Sequence, residues 1–543
     1  MRRGTPADLS NLTPNRARGQ ALRAFLPRCL PVQAADAAAD YVPAVVARGS
    51  VGSLLVLLGG LVTATLPPSA PVLRLEVLGA VRASDVGRMT GLVVVLAGLG
   101  LLASAWLRLC RAVAVGDGEA ADPRGGIALV RLAAIAWSAP LVLAPPLFSR
   151  DGWSYAAQGM LARVGLSPYE WGPGALAPDP FGPMPAWLAG PPIVQAVDPM
   201  WWETATPYGP VPLFAGALAA NLTGNPWLLV VAHRGVALLG LVLLAWAVPR
   251  LAAWTGVNPA LASALVLISP LMVANGVAGL HNDLLMAGLM AAALVVAAER
   301  GWAWGAALAG LAAAVKVPGG LVCVGIALVS LPAGAAVLAR FRRLAAIGAV
   351  SLGTLFGLGV ASGLGNGWLH ALTVPGEVNT PLSATTLVGG VLDWVVAIAG
   401  VGAEPALFRD LVRAAGLLAA FAVGGWVALG WRTGSRSTAI AAVATVGAAF
   451  VVLAPVVHLW YLLMLPPFVA TLRLPRYGTG GLVAVSLVAG LVAPLDSSLH
   501  GAYYAIVLGC MTVALLLPVL LLTRVARERL ARIMAPLAPG VRS

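Results

Sequence analysis

Apolar runs of about membrane-spanning length recur through this chain with almost no charge inside them, and that pattern leaves few folds open. In a bilayer interior the backbone must satisfy its own hydrogen bonds, so a run of about 20 apolar residues is helical. Fifty-nine per cent of the 543 residues are hydrophobic, 10% are charged and the mean hydropathy is +0.89, which excludes a soluble globule. The expected class is an all-α polytopic membrane protein. The net charge of +13 would suggest nucleic acid in a soluble domain. Here the arginines cluster between apolar runs and near both ends of the chain, so they set topology and imply no nucleic-acid partner. Cys29, Cys110, Cys323 and Cys510 lie far apart, with no pairing or ligand spacing, so neither a disulfide nor a metal site is expected.

Residues 1–48 are basic and Pro/Ala-rich, with seven arginines and no apolar core. They read as a cytoplasmic tail without a cleavable signal. Spans are expected at about 50–67, 90–109 and 127–147, an N-terminal group covering 49–147. Four arginines between Arg108 and Arg131 hold that loop inside and place the chain after residue 147 outside. Residues 148–225 form a long outer loop, rich in aromatics, whose apolar piece Val211 to Leu222 is too short to span. Spans at about 226–248, 258–276, 282–298, 302–317, 319–338 and 343–363 come next, with Arg250, Arg300 and Arg340/Arg342/Arg343 on the inner side. A second outer segment, 364–405, contains another short apolar piece, Leu387 to Ala399. The C-terminal group, 406–523, is expected to span at about 408–431, 437–455, 458–472, 479–495 and 501–523, before an inner tail at 524–543. The expectation is about fourteen spans.

Against this background the polar residues stand out. In LFSRDGWSYAAQGMLARVGLSPYEWGP, Trp153, Ala157, Met160, Leu161 and Val164 recur at helical spacing, with Tyr155, Gln158 and Arg163 off that stripe. This predicts a helix lying on the membrane surface, with Arg150 and Asp151 at its start. Asp151 is suited to take a proton from a sugar hydroxyl; it is equally suited to cap the helix. Ionisable groups inside spans are costly and mark candidate sites. His233 and Arg234, two turns into a span, suit a lipid phosphate, or an arginine packed against carbonyls. His281, Asn282 and Asp283 of GLHNDLLMAG open a span on the face that carries Asp151, as ligands or as caps. Lys316 is the only lysine of the chain, and Pro318 and Gly319 after it predict a broken helix. Its ammonium suits a phosphate, or an interfacial anchor. His458, Trp460 and Tyr461 fall at another outer boundary, where aromatic belts are common. No Walker loop, GxGxxG after a strand, GxSxG elbow or HExxH is present, so nucleotide chemistry is not expected.

Six segments, FSRDGWSYAAQGMLARVGLSPYEWGP, WWETATPYGP, AHRGVALLG, GLHNDLLMAG, AAAVKVP and PVVHLWYLL, resemble in order the motifs of the actinobacterial polyprenol-phosphate-mannose-dependent α-(1→6)-mannosyltransferases. The resemblance runs from about residue 50 to 520. It is closer to the enzyme that starts the mannan core of lipomannan and lipoarabinomannan, with the paralogue that extends the core as the near alternative. It implies a GT-C fold with extracytoplasmic catalytic loops in the plasma membrane, polyprenyl-phosphate mannose as donor and a glycolipid acceptor. It also implies Asp151 as catalytic base. Lys316, Arg234, Arg150 and His281 are then the candidates for the donor phosphate. Tyr155, Gln158, Glu203, Tyr208, Asn282, Asp283, His458, Trp460 and Tyr461 are candidates for substrate binding. No metal and no cofactor are expected. Asp283 is within the family's range for its motif, whereas Leu459 stands where the family usually has proline. Alternatives are another GT-C polyprenyl-phosphate-sugar transferase, α-1,2-mannosyl or arabinofuranosyl, or a flippase of lipid-linked sugars. A flippase predicts internal repeats and helices broken near mid-membrane.

Overall fold

The computed structural model describes residues 32–115, 123–177, 193–372, 374, 379–380, 382–400, 402, 404–495, 523–525 and 528. Much of the expected N-terminal tail, the middle of the expected outer loop 148–225, all of the expected span 501–523 but its last residue, and Arg527, Arg529 and Arg532 therefore lie outside the described residues. Among the described residues all regular structure is helical. The first helices are α1 (Val32–Thr63), α2 (Glu76–Ala83), α3 (Asp85–Val115), α4 (Pro123–Val142) and α5 (Asp151–Arg163). Then come α6 (Pro210–Leu222), α7 (Pro226–Thr255), α8 (Pro259–Leu267), a π-helical turn at Met272–Ala278, α9 (Asp283–Glu299) and α10 (Trp302–Val315). The remainder are α11 (Val322–Ser330), α12 (Val337–Ala361), α13 (Ala384–Ile398), α14 (Leu407–Gly430), α15 (Arg436–Leu453), α16 (Pro466–Val469) and α17 (Arg476–Leu491). The chain is an all-α polytopic membrane protein.

Seven of the described helices are long and apolar enough to cross a bilayer: Pro43–Thr63, Asp85–Ala114, Arg124–Val142, Pro226–Thr255, Val337–Ala361, Leu407–Gly430 and Arg436–Leu453. An eighth is reached if α8 and the π-helical turn, bent by 54°, count as one. Among the described residues the expected count of fourteen is not reached, and the reason is physical. Apolar composition reports burial in lipid and burial in protein alike. Helix α9 is apolar on every face because it lies in the centre of the molecule, between α7, α10 and α11, with nearly every residue buried. Helix α10 has only 14 residues, about 21 Å. The stretch expected to span at 458–472 is a 3₁₀ turn, Leu459–Met464, followed by the single turn of α16.

Helix α5 also departs from expectation. It does not lie on a surface: Gly152 to Gly159 and Leu161 are buried, polar Tyr155 and Gln158 among them. Its off-stripe side is covered by α6 and α7. At Gly159 a Cβ would come within 2.6 Å of the Gly216 backbone, so α5 and α6 pack main chain to main chain.

Helix α7 is the long strut of this architecture. Asn225 caps its start by accepting from the N–H groups of Trp227 and Leu228, and Gly256, with φ +71°, ends it. Its 30 residues extend about 45 Å, so its two ends lie at opposite membrane surfaces. Glu170 is exposed beside the α5–α6 end, and Tyr477, 91% exposed, comes shortly after Arg473, which donates to the Thr255 carbonyl at the other end. In a background free of the native cysteines, an impermeant thiol reagent on intact cells should label one of Glu170→Cys and Tyr477→Cys, and not both. Labelling of both would refute the strut assignment.

Candidate active site

The first residue of α5 carries the carboxylate around which the polar side chains gather. Asp151 stands at the first helical position, with Arg150 before it, and neither side chain caps the helix. Ser149 Oγ accepts from the Asp151 N–H at 3.0 Å, which leaves the carboxylate turned toward other side chains. Its Oδ2 accepts from the Tyr155 and Tyr208 hydroxyls, each at 3.3 Å, and lies 3.6 Å from His281 Nδ1. The two hydroxyls are 3.1 Å apart and their rings meet edge to face at 5.0 Å. The Asp151 side chain is 16% exposed, whereas that of His281 is buried. The carboxylate is therefore the accessible edge of a buried cluster.

Each partner arrives from a different element. Tyr155 lies one helical turn beyond Asp151, on the same face. Tyr208 comes from the segment before α6. Gln158 Oε1 accepts from Thr206 Oγ1 at 3.0 Å, and Thr206 Oγ1 in turn accepts from the Tyr208 N–H at 3.3 Å. Gln158 thus ties this segment to α5. Gly209 completes the fit by donating its N–H to the Val315 carbonyl at 3.1 Å, and any Cβ there would collide with the Ala314 carbonyl. His281 is reached from the π-helical turn through Leu280, whose φ of +63° is unusual for a non-glycine residue; Phe148, three residues before Asp151, has φ +68°. A hydrogen bond from the Leu147 N–H to the Ala278 carbonyl, 3.1 Å, joins the two strained segments and sets Asp151 beside His281.

A second cluster adjoins the first. Lys316 is the extended residue between α10 and the 3₁₀ turn Val317–Leu321, so the helix breaks where Pro318 and Gly319 predict. Its Nζ lies 3.0 and 3.1 Å from the two carboxylate oxygens of Asp283 and 3.9 Å over the Tyr461 ring. Asn282 occupies the cap position of α9 without capping it, and its buried Nδ2 has no partner among the described residues. His281 and His458 both stack on Trp460, with ring centroids at 3.8 and 4.3 Å and planes within 11°. Residues 380–386 hold this last group in place. Ser383 and Thr385 donate to the Ala454 carbonyl, Thr386 to that of Pro455, and Thr380 accepts from the Val457 N–H, just before His458.

Two expected ligands are not at the cluster. Arg234 is fully buried, and its guanidinium donates to the carbonyls of Val142, Ala144, Pro145 and Val277 at 2.6–3.2 Å. The reading of Arg234 as a phosphate ligand is corrected to that of a cross-brace between α4, α7 and the π-helical turn. Glu203 is exposed, and no hydrogen bond or ion pair joins it to the cluster among the described residues. Arg150 faces Asp198, its Nε 4.0 Å from the carboxylate. The Asp283–Lys316 pair, 33 residues apart, and the Thr206 link carry no sequence signal beyond the outer placement expected of all three. The helix breaks, at the bend of α8 and at residues 317–321 and 459–464, gather around the carboxylate. Among the described residues no three His, Cys, Asp or Glu side chains group as for a metal ion.

Burial pushes the Asp151 carboxyl above its ordinary value of 3.8, against the pull of the Ser149 hydrogen bond, the Lys316 charge and the Tyr208 hydroxyl. Burial, followed by the neighbouring acidic groups, keeps the Tyr208 hydroxyl protonated well beyond its usual range, so it remains a donor. A partly exposed base flanked by fixed donors and a buried cation is an arrangement for moving a proton beside a developing negative charge.

Residues 46–332 match the family model of the alpha-(1->6)-mannopyranosyltransferase N-terminal domain. A Mycolicibacterium smegmatis relative, named a probable alpha-(1->6)-mannopyranosyltransferase, is 32% identical over 74% of this chain and 75% of its own length. The chain belongs to the alpha-(1->6)-mannopyranosyltransferase family. It is a glycosyltransferase of a membrane, with mannosyl transfer as its activity. The Corynebacterium glutamicum alpha-(1->6)-mannopyranosyltransferases A and B are each 28% identical, over 71% and 76% of this chain, so identity does not rank one above the other. No solved structure matches the chain.

The buried Asp283–Lys316 pair makes one stability prediction. Lys316→Met leaves the Asp283 carboxylate buried and unmatched, at a cost of about 3–5 kcal/mol. The Asp283→Asn/Lys316→Met double variant should recover most of that loss, read as the thermal midpoint in detergent. A single variant as stable as the parent would show that the pair carries no charge.

Proposed function

We propose that this mannosyltransferase moves mannose from polyprenyl-phosphate mannose to the 6-hydroxyl of a mannosylated glycolipid, in lipomannan or lipoarabinomannan core synthesis, by one inverting displacement at the outer face of the plasma membrane. The observation that carries the reading is the Asp151 carboxylate, accessible at one edge and oriented by Tyr155 and Tyr208 instead of by helix N–H groups. Asp151 accepts the proton of the attacking hydroxyl as the new glycosidic bond forms. On the opposite side of the anomeric carbon the bond to the phosphate oxygen breaks, and the polyprenyl phosphate leaves with both electrons. Lys316, held by Asp283, supplies a fixed cation for that developing charge, and the Asn282 amide, without a partner among the described residues, is a further donor. Arg150 lies at the rim, and Trp460, with its stacked imidazoles, and Tyr461 form an aromatic wall suited to a sugar face.

An apolar cavity of about 510 Å³ supports a lipid-linked donor. It begins at Pro210, two residues from Tyr208, and continues between Phe214, Leu239, Leu285, Leu311 and Leu358 of five helices. A water-soluble nucleotide sugar has no use for such a channel, whereas an isoprenoid chain fills it. Orientation rests on the arginines at the other end of α7, which positive-inside bias assigns to the cytoplasm. Glu170→Cys is therefore the variant that should label in intact cells.

Asp151→Asn keeps the size of the side chain at the first helical position while removing the base, so turnover should fall about 10²–10⁴-fold with donor binding retained. Near-parental turnover with labelled polyprenyl-phosphate mannose would refute the assignment. The acid limb of kcat/KM should lie above pH 3.8, because activity needs the ionised carboxylate and burial raises the pH at which it forms. Tyr208→Phe removes a hydrogen bond that favours ionisation, so that limb should move further up. A limb that stays in place or moves down would separate Tyr208 from the titrating group.

A further inference from the structure

The far end of α7 borders a second cavity, of about 780 Å³, that the reaction does not use. Its distance from the site is set by the helix. His233, whose ring lies 6.0 Å from that of Tyr155, and Thr255 are 22 residues apart on α7, about 33 Å at the helical rise. That exceeds the roughly 30 Å of a hydrocarbon core, so the cavity opens at the opposite membrane surface. It is enclosed by the ends of α7 and α14, the start of α15 and the turn at residues 472–474. Trp254, Trp431, Arg432, Ser437, Thr438 and Arg473 line it together with apolar residues, and among the described residues no acidic side chain does.

Its chemistry is asymmetric. Arg473 is anchored by its Nε to the Thr255 carbonyl at 2.6 Å, and Arg436 lies over the Trp254 ring at 5.0 Å. Arg432, Arg436 and Arg473 are all exposed, and none forms an ion pair among the described residues. Buried Arg340 donates to the carbonyls of Leu429 and Trp431, both at 2.7 Å, so the C-terminal carbonyls of α14 are neutralised and do not oppose an anion. Three exposed guanidinium groups around an apolar floor with tryptophan walls, at the lipid boundary, complement a molecule with a negative head and an oily tail.

We infer that this cavity binds the headgroup of an anionic phospholipid in the leaflet opposite the active site, with the phosphate between Arg432 and Arg473 and the upper acyl chain against the tryptophans. The site does not depend on the proposed reaction and is tested without it. The full chain is reconstituted in bilayer discs of phosphatidylcholine, with and without phosphatidylglycerol, and the retained lipids are counted by native mass spectrometry. Phosphatidylglycerol should be retained in preference to phosphatidylcholine. Each arginine removed in Arg432→Gln and Arg473→Gln should weaken that retention about fivefold, the effect of one basic residue at an anionic surface. The Arg432→Lys/Arg473→Lys double variant keeps the charges and should keep most of the preference. Equal retention of the two lipids by the parent, undiminished retention in the glutamine variants, or a lysine variant that loses as much as the glutamine pair would each overturn the proposal. Displacement of phosphatidylglycerol by inorganic phosphate alone would show a free-anion site and overturn the lipid assignment.

Discussion

A charge in an apolar interior must find a partner, and most of the functional architecture here is the working out of that constraint. The penalty for an isolated ion amounts to several kcal/mol after relaxation. Each buried ionisable group meets it differently. Lys316 and Asp283 neutralise each other at 3.0 Å, Arg234 disperses its charge over four carbonyls, and Asp151 shares two tyrosine hydroxyls while keeping one edge open. Only the last arrangement leaves a group that a substrate hydroxyl can reach.

These partners can be assembled because the helices that carry them are interrupted. An unbroken helix presents backbone groups only to itself. At the end of α10, at the π-helical turn before His281 and at the 3₁₀ turn carrying Trp460, the main chain changes direction and lets polar side chains converge. Non-helical backbone at membrane depth is tolerated where protein surrounds it, and α9, buried on all sides, supplies that surrounding.

Sequence patterns reveal much of this, unevenly. The long apolar helices, the short pieces near 211–222 and 387–399 and the break after Lys316 are dictated by length, composition and Pro/Gly chemistry, and the structure has them. The number of spans is not, because a helix buried in protein and one bathed in lipid read alike. Helix α5 shows the same limit in reverse: its polar stripe reads as water-facing, yet Gln158 and Tyr155 satisfy their polar atoms inside the molecule. Asp151, His281, Asp283, Lys316 and Trp460 are all legible as candidates through their rarity or placement. Which of them touch is not legible, since residues 33 or more positions apart leave no local periodicity to betray a contact.

The backbone contacts at Gly159, Gly209 and Gly216 carry a consequence for divergence. The segment that delivers Tyr208 is fastened to α5 by the Gln158–Thr206 side-chain bond and to α10 by the Gly209 N–H, and α6 behind it meets α5 backbone to backbone where Gly159 and Gly216 leave no room for a Cβ. Such a joint constrains the three glycines and the Gln158–Thr206 pair but not the apolar side chains that line the cavity beyond Pro210, so that lining can vary in size while the tyrosine stays in register.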